Sequence, residues 1–134
     1  ADGEVAMTTA YNGRIFGAAI DEGKPFQIVW DGQLYENELY VVPKGAPNKD
    51  LAMQFIAWAT TTENLRAQAT HISYGPPRTS ANNEKLMYKD GKTEMGPHLP
   101  TNPDNMKTSL LTSSDFWVDH DAELNERFQA WLSQ

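Results

Sequence analysis

The sequence contains no cysteine. Disulfide bonds, zinc sites built on thiolates and a cysteine nucleophile are therefore excluded. It also lacks an uninterrupted apolar run of about 18 residues, the length that a membrane-spanning helix needs. The first residues contain neither a basic segment nor an apolar run typical of a signal peptide. We therefore expect either an intracellular protein or a chain that starts after a removed segment.

Basic residues are scarce. Eleven Lys and Arg stand against 18 Asp and Glu, which gives a formal net charge of −7 at pH 7. Proteins that bind duplex nucleic acid use clustered Lys and Arg to displace counterions from the phosphates, and no such cluster is present. Nucleic acid is therefore not an expected partner.

Local catalytic motifs are also missing. The chain has no Gly-x-Ser-x-Gly elbow, no glycine-rich phosphate loop and no His-Glu-x-x-His pair. Its histidines, His71, His98 and His120, lack carboxylates at metal-ligand spacing, so no metal site and no cofactor are predicted. We expect no enzymatic activity, although a hydrolase that uses the carboxylates of Glu36 and Glu38 stays open as an alternative.

Segments of strand type alternate with segments of helix type. Runs of apolar and β-branched residues predict strands at residues 4–11, 26–30 and 38–42, and the Asp31-Gly32 pair predicts a turn. Apolar spacing predicts helices at residues 14–20, from a cap at Asn48 or Asp50 onward, from Thr62 to near His71, and after a cap at Asp119 or Asp121. The pattern indicates an α/β fold whose sheet has too few strands to be complete.

Two features of the helical and loop regions refine this prediction. In the helix after Asn48, the large side chains Leu51, Phe55 and Trp58 share one face, so we expect a buried stripe. Residues 75–103 hold five of the eight prolines and several turn-prone pairs, which predicts an irregular region with at most a short helix around Glu84 to Tyr88.

Polar and aromatic side chains collect at three predicted element ends, where α/β proteins place their ligands. The clusters are Tyr11-Asn12-Gly13-Arg14, Glu36-Asn37-Glu38 and Tyr74-Gly75-Pro76-Pro77. Each also has a structural explanation, since aromatic residues pack and carboxylates are solvated more often than they bind ligands.

Taken in order along the chain, several short runs resemble the carboxyl-terminal part of spermidine/putrescine-type substrate-binding proteins of bacterial ABC transporters. The runs are Gly3-Glu4-Val5-Ala6-Met7, Tyr11-Asn12-Gly13, Val29-Trp30, residues 41–49 (Val-Val-Pro-Lys-Gly-Ala-Pro-Asn-Lys), Phe55-Ile56 and Tyr74-Gly75-Pro76. The resemblance implies a portion of a two-lobed periplasmic binding protein fold of type II-like topology. It also implies a periplasmic receptor that closes around a small amine-bearing ligand and delivers it to an ABC permease in the inner membrane.

The resemblance further implies which residues bind the ligand. Polyamine-binding relatives have an aromatic residue at the position of Tyr11, an acid at that of Glu38 and a tyrosine at that of Tyr74; at Glu36 they have another aromatic. Aromatic rings attract ammonium groups by cation–π contact, and a carboxylate pairs with them. Arg14 departs from the small polar residue of polyamine binders. A guanidinium repels a polycation but binds a carboxylate bidentately. We therefore hypothesise a ligand with both an amine and a carboxylate, such as 4-aminobutyrate, with Glu38 on the amine and Arg14 on the acid. A polyamine ligand, with Arg14 pointing to solvent from the first turn of its helix, stays open as the alternative.

By resemblance, residues 1–38 are part of lobe 2, residues 39–108 are part of lobe 1, and residues 109–134 return to lobe 2 with the C-terminal helix. Hinge crossings are expected near Glu38–Leu39 and Thr108–Thr112. We expect the apolar faces of both partial lobes to be covered by a missing N-terminal part of the same protein or by self-association. A small α/β interaction module without a small-molecule ligand, whose C-terminal helix docks on a partner, stays open as the alternative.

Overall fold

The computed structural model describes residues 2–82 and 85–134. Its helices and strands, in chain order, are α1 (Asn12–Phe16), β1 (Leu34–Tyr35), α2 (Lys49–Ala59), α3 (Thr62–Ala69), α4 (Thr79–Asn82), β2 (Leu110–Leu111) and α5 (Ser114–Leu132). A π-helical turn (Gly17–Asp21) extends α1, and a 3-10 turn (Gly96–His98) lies between α4 and β2. Helix and strand are both present, which fits the mixed class predicted from the sequence.

The predicted first helix forms, and it begins at Asn12, two residues before the predicted start at residue 14. Tyr11 is the N-cap residue with extended backbone, and the helix passes without interruption into the π-helical turn. The widened turn closes with a hydrogen bond from the Glu22 amide to the Gly17 carbonyl at 3.3 Å. The helical segment therefore starts at the first of the three predicted ligand clusters.

Helices α2 and α3 lie close to their predicted positions. Thr61 caps α3, because its hydroxyl accepts a hydrogen bond from the Asn64 amide at 3.3 Å. The expected buried stripe on α2 is wrong for this chain: Leu51 is 65% exposed, Phe55 52% and Trp58 61%. The amphipathic pattern is real, but in the described residues this face stays largely exposed, although the ring of Phe55 meets that of Tyr40 edge-to-face at a centroid distance of 6.0 Å.

The sheet is a single parallel pair. Leu34 pairs with Leu110 and Tyr35 with Leu111. The predicted turn at Asp31-Gly32 is confirmed, with Gly32 at a φ of +70° that favours glycine. The strands predicted at residues 4–11, 26–30 and 38–42 are not formed among the described residues. A strand exists only when a neighbour accepts and donates its ladder hydrogen bonds, and these segments have none here.

Residues 75–103 are largely irregular, as predicted. Glu84, in the predicted short helix, lies outside the described residues. The rest of that helix is wrong, because Met87 instead forms an antiparallel bridge with Glu94. The turn between them is held by Asp90, whose carboxylate accepts from the amides of Thr93 and Lys92. Those hydrogen bonds, led by the one from Thr93, hold the pKa of Asp90 below its ordinary value of 3.8.

The C-terminal helix α5 starts earlier than the predicted caps at Asp119 and Asp121. Its N-cap is Ser113, whose hydroxyl accepts from the Phe116 amide at 3.2 Å. Both aspartates therefore lie inside the helix. Its large apolar side chains are exposed, with Phe116 at 48% and Trp131 at 63%.

The hydrophobic core is small and combines one early helix with a later irregular region. Its cluster consists of Phe16, Ala69, Leu86, Tyr88, Met95 and Leu99, with Ile20 packed against it. The ring of Phe16 makes edge-to-face contacts with Tyr88 at a centroid distance of 5.0 Å and with His98 at 5.1 Å. This core fixes α1 against the segment that follows α3. The predicted lobe boundaries themselves stay a prediction.

Candidate functional site

The start of α1 meets the loop that follows α3, so that two of the predicted ligand clusters become neighbours. The side-chain amide of Asn12 donates to the Ser73 carbonyl at 2.5 Å and lies 3.3 Å from the Ser73 hydroxyl. Ser73 is completely buried, although 61 residues separate it from Asn12. A buried hydrogen bond between distant segments sets their relative position, because breaking it leaves polar groups unsatisfied. Asn12 therefore holds the loop in place.

Gly13 and Tyr74 form the second contact between these segments. A methyl group built on Gly13 would lie 2.8 Å from Cε1 of Tyr74 and 3.3 Å from its Cζ. Such distances are shorter than van der Waals contact, so the Tyr74 ring occupies the space that a side chain at position 13 would need. The tyrosine predicted to face the ligand thus rests directly on the helix that carries Tyr11 and Arg14.

The other side of the Tyr74 loop is also fixed. Gly75 packs so closely against Thr101 that any side chain at position 75 would overlap it. The Thr101 hydroxyl donates to the side-chain oxygen Oδ1 of Asn82 at 3.1 Å, and the side-chain Nδ2 of Asn82 donates to the backbone carbonyls of Pro76 and Arg78 at 3.0 and 3.1 Å. Tyr74 is therefore held between two anchored neighbours.

A hydrogen bond from the core residue Tyr88 anchors the π-helical turn that follows α1. The phenol of Tyr88, buried at 3% exposure, donates to the carboxylate of Asp21, with both oxygens at 2.9 Å. A hydrogen bond to a carboxylate is stronger than one between neutral groups. Partial burial beside Phe16 lowers the pKa of His98 below its ordinary value of 6.5. The helical segment that begins beside Tyr11 is therefore held to the core by the Tyr88–Asp21 hydrogen bond as well as by the Phe16 ring.

Asn12 and Gly13, together with the loop residues Ser73, Tyr74 and Gly75, form what we call the frame of the site. Tyr11 and Arg14 face outward from this frame. Tyr11 is 66% exposed at the N-cap of α1, and Arg14 is exposed in its first turn. Within residues 2–82 and 85–134, neither side chain has a polar partner. An aromatic face and a guanidinium on one short helix supply groups that recognise an ammonium and a carboxylate.

Glu36 and Glu38 are not joined to this frame. Both are exposed in the segment after β1. In the described part of the chain, neither carboxylate forms a hydrogen bond or an ion pair. The structure therefore brings the start of α1, with Tyr11, Asn12 and Arg14, against the loop that holds Tyr74. In the described residues it shows no polar contact of the two acids with this site. The assignment of all six residues to a ligand site stays a prediction.

Three residues that build the site, Ser73, Asn82 and Thr101, lie outside the predicted clusters. Gly13 and Gly75 lie inside two of those clusters, but no role was assigned to them. The contacts that require these glycines come from residues far along the chain. Sequence spacing alone carries no information about such pairings.

The described residues show neither a metal cluster nor a membrane span. No group of three or more His, Cys, Asp or Glu side chains is arranged to hold a metal ion in residues 2–82 and 85–134. Over the same residues, no helix combines the length and the apolar character needed to cross a bilayer.

Comparison with known proteins identifies the relatives of the chain. Residues 1–101 match the sequence model of a family described as bacterial extracellular solute-binding protein. The whole chain is 41% identical, over 134 residues, to a protein of Pseudomonas aeruginosa named gamma-aminobutyric acid-binding protein. The chain spans 36% of that relative's length.

These similarities confirm the resemblance to solute-binding proteins of bacterial transporters. They also fit the expectation of a protein without catalysis, since both the family and the relative are described as binding proteins. The family match covers about three quarters of the chain, from the first predicted strand through the Tyr74 loop to Thr101. The chain belongs to the bacterial extracellular solute-binding protein family.

Proposed function

We propose that this chain is the carboxyl-terminal part of the periplasmic solute-binding component of an ABC importer, and that its ligand is an ω-amino acid such as 4-aminobutyrate. The observation that carries the proposal is the 41% identity, along the entire chain, with a protein named for gamma-aminobutyric acid. The frame around Asn12 and Ser73 supports it by holding an outward-facing tyrosine and arginine beside Tyr74.

The ligand chemistry follows from the two ends of an ω-amino acid. Arg14 offers a planar pair of N–H groups to the carboxylate, and no described carboxylate competes for it. Glu38 pairs with the ammonium, and the faces of Tyr11 and Tyr74 add cation–π attraction. Glu36 adds negative charge to the same segment. In this proposal Glu36 and Glu38 approach the other groups when the protein closes around its ligand.

Arg14 separates this proposal from a polyamine binder. Putrescine has an ammonium at both ends, so one end would face the Arg14 guanidinium and be repelled. In titration calorimetry of the full-length protein, we expect 4-aminobutyrate to bind at least about a hundredfold more tightly than putrescine, a difference of about 2.7 kcal/mol. The reverse order of affinities would identify a polyamine binder.

Substitution of Arg14 tests the assigned role. We expect Arg14→Ala to weaken 4-aminobutyrate binding by about thirtyfold or more, since a bidentate charge-assisted contact is lost. Arg127→Ala is the matched control, because Arg127 is an exposed arginine on α5 that pairs with Glu123 at 3.5 Å. Unchanged affinity in Arg14→Ala would mean that this guanidinium is solvated rather than bound to ligand.

Substitution also tests the separate roles of Glu36 and Glu38 in ligand binding. Glu38→Gln should weaken binding of the ammonium end strongly, whereas Glu36→Gln should have the smaller effect, because Glu36 replaces an aromatic residue of polyamine-binding relatives. A larger loss in Glu36→Gln would exchange the two roles.

A two-lobed architecture is part of the proposal. The parallel pair of β1 with β2 supports it, since the pair lies beside both expected hinge crossings. Gln33 strengthens this junction by donating to the carbonyl of Asn105 at 2.7 Å, and the Gly32 amide donates to the Thr108 hydroxyl at 3.0 Å. Lobe closure predicts that 4-aminobutyrate reduces the radius of gyration of the full-length protein in small-angle scattering, and an unchanged radius would contradict closure.

The exposed apolar faces favour coverage by the remainder of the same protein, because the relative is nearly three times as long as this chain. The competing interaction-module function predicts a chain that is monomeric and well folded alone. Sedimentation of the isolated 134 residues distinguishes the two: association with itself, or with a separately supplied amino-terminal part, supports the transport proposal. A stable, non-associating monomer that binds no small amine supports the module.

A further inference from the structure

Position 13 is glycine although its backbone does not require one. Gly13 lies in α1 and its φ is not positive. Glycine inside a helix is about 1 kcal/mol less favourable than alanine, because its backbone loses more freedom on folding. A local explanation therefore favours alanine at this position, and the reason for glycine must come from a tertiary contact.

The Tyr74 ring supplies that reason. A methyl on Gly13 would approach Cε1 of Tyr74 to 2.8 Å and Cγ1 of Ile72 to 3.3 Å. The backbone on either side of Tyr74 cannot retreat freely, since Ser73 is buried and bonded to Asn12, and Gly75 packs against Thr101. The ring itself would have to move. The absence of a side chain at position 13 thus sets the position of the Tyr74 ring relative to Tyr11 and Arg14.

We propose that Gly13 is an affinity-determining positioning residue, because the space it leaves holds the Tyr74 ring in the position that binds ligand. We call this packing of the Tyr74 ring on Gly13 the tyrosine seat. In the same proposal, Asn12 supports the seat by holding Ser73 and does not touch the ligand. This inference rests on the proposed binding function of the Tyr74 site. It assigns the two residues of the Asn12-Gly13 pair to the frame, and leaves Tyr11, Arg14 and Tyr74 as the groups of this frame that contact the solute.

A double-mutant cycle in the full-length protein tests the seat, with 4-aminobutyrate and putrescine as the probes. Gly13→Ala should weaken binding of whichever probe binds by about tenfold when Tyr74 is present, the scale of one cation–π contact. In a Tyr74→Ala background the same substitution should change affinity by less than about twofold, because the displaced ring is gone. Equal losses in both backgrounds, or no loss in either, would overturn the seat.

Gly17→Ala is the matched control for a change in helix propensity. Position 17 is also helical, and a methyl there would meet only Asp21 Oδ2 at 3.9 Å, an ordinary contact. We expect affinity within about twofold of the wild type. An effect as large as that of Gly13→Ala would show that the helix, and not the tyrosine seat, is responsible.

A measurement without ligand separates the seat from the proposed function. The Gly13 proton resonances should be shifted by the ring current of Tyr74, and the shift should disappear in Tyr74→Ala while Gly17 resonances stay unchanged. No change at Gly13 would overturn the seat whatever binds. If the wild type binds neither probe but the ring-current shift is present, the proposed function is wrong and the affinity role fails with it, while the packing of Gly13 on Tyr74 stands.

Discussion

Phe16, at the end of α1, and Phe116, in the first turn of α5, are both helical, yet their surroundings differ completely. Phe16 is 3% exposed and touches two rings of the core, whereas Phe116 is 48% exposed and its ring neighbours, Trp117 and His120, belong to its own helix. The same contrast separates the whole core cluster from α5 and from the face of α2 with Phe55 and Trp58. The core side chains find their partners within the described residues, whereas α5 and α2 keep large apolar side chains exposed there.

The largest expected effect compares these two phenylalanines directly. Phe16→Ala removes a buried ring and should lower the free energy of unfolding of the chain by about 3–5 kcal/mol. Phe116→Ala is the matched control and should lower it by less than about 1 kcal/mol. Urea denaturation followed by circular dichroism measures both. Equal losses would mean that α5 is packed in solution and that the contrast is wrong.

The polar anchor of the core gives the next effect. Tyr88→Phe removes only the hydroxyl that donates to Asp21, and should destabilise the chain by about 1–2 kcal/mol. Tyr40→Phe is the control, because Tyr40 is 55% exposed and should change stability by less than about 0.5 kcal/mol. If Asp21→Asn and Tyr88→Phe were fully additive in the double variant, the two groups would not be coupled.

In the core region, His98 should make stability depend on pH. Burial lowers the pKa of His98, so the unfolded state takes up a proton more readily than the folded state as pH falls below 6.5. This contribution leaves the fold undisturbed above 6.5 and destabilises it progressively below. His98→Gln should flatten the pH dependence of the melting temperature between about pH 7.5 and 5. A flat wild-type profile in that interval would contradict the prediction.

The smallest expected effect concerns α5 alone. Val118 is 84% exposed, so Val118→Ser should change the stability of the 134-residue chain by less than about 0.5 kcal/mol. In the full-length protein, where we propose that other parts of the molecule cover α5, the same change should be clearly destabilising. Thermal denaturation of both forms measures the difference. A neutral result in both would leave this part of α5 at the surface of the full-length protein.

Local patterns were sufficient where a few neighbouring residues decide the structure. The start of α3 beside Thr61 and the turn at Asp31-Gly32 follow from side-chain capping and from the freedom of glycine, both of which act over three or four residues. The same reasoning failed at α5, where Ser113 and not Asp119 is the cap. Several residues there are able to cap, and only the position of β2 immediately before Ser113 selects one of them.

For the candidate site, the sequence pointed to Tyr11, Asn12, Arg14 and Tyr74 as polar and aromatic groups at element ends. It did not show which of these residues hold the site together and which are exposed to solvent. Asn12 is tied to Ser73 while Arg14 is exposed, although the two are only two positions apart in one helix. Glu36 and Glu38 were given the same status and, in the described residues, show no polar contact with the frame. Partners 61 residues away in sequence cannot be read from spacing.

By itself, then, the sequence determined the approximate positions of α1, α2 and α3, the turn at Asp31-Gly32 and the family resemblance, because capping, periodicity and motif order are properties of neighbouring residues. Tertiary structure decided which apolar faces are buried, which predicted strands are paired, and that glycine at position 13 makes room for the Tyr74 ring. Burial and strand pairing each require a second surface, and whether that surface is present depends on the rest of the folded chain.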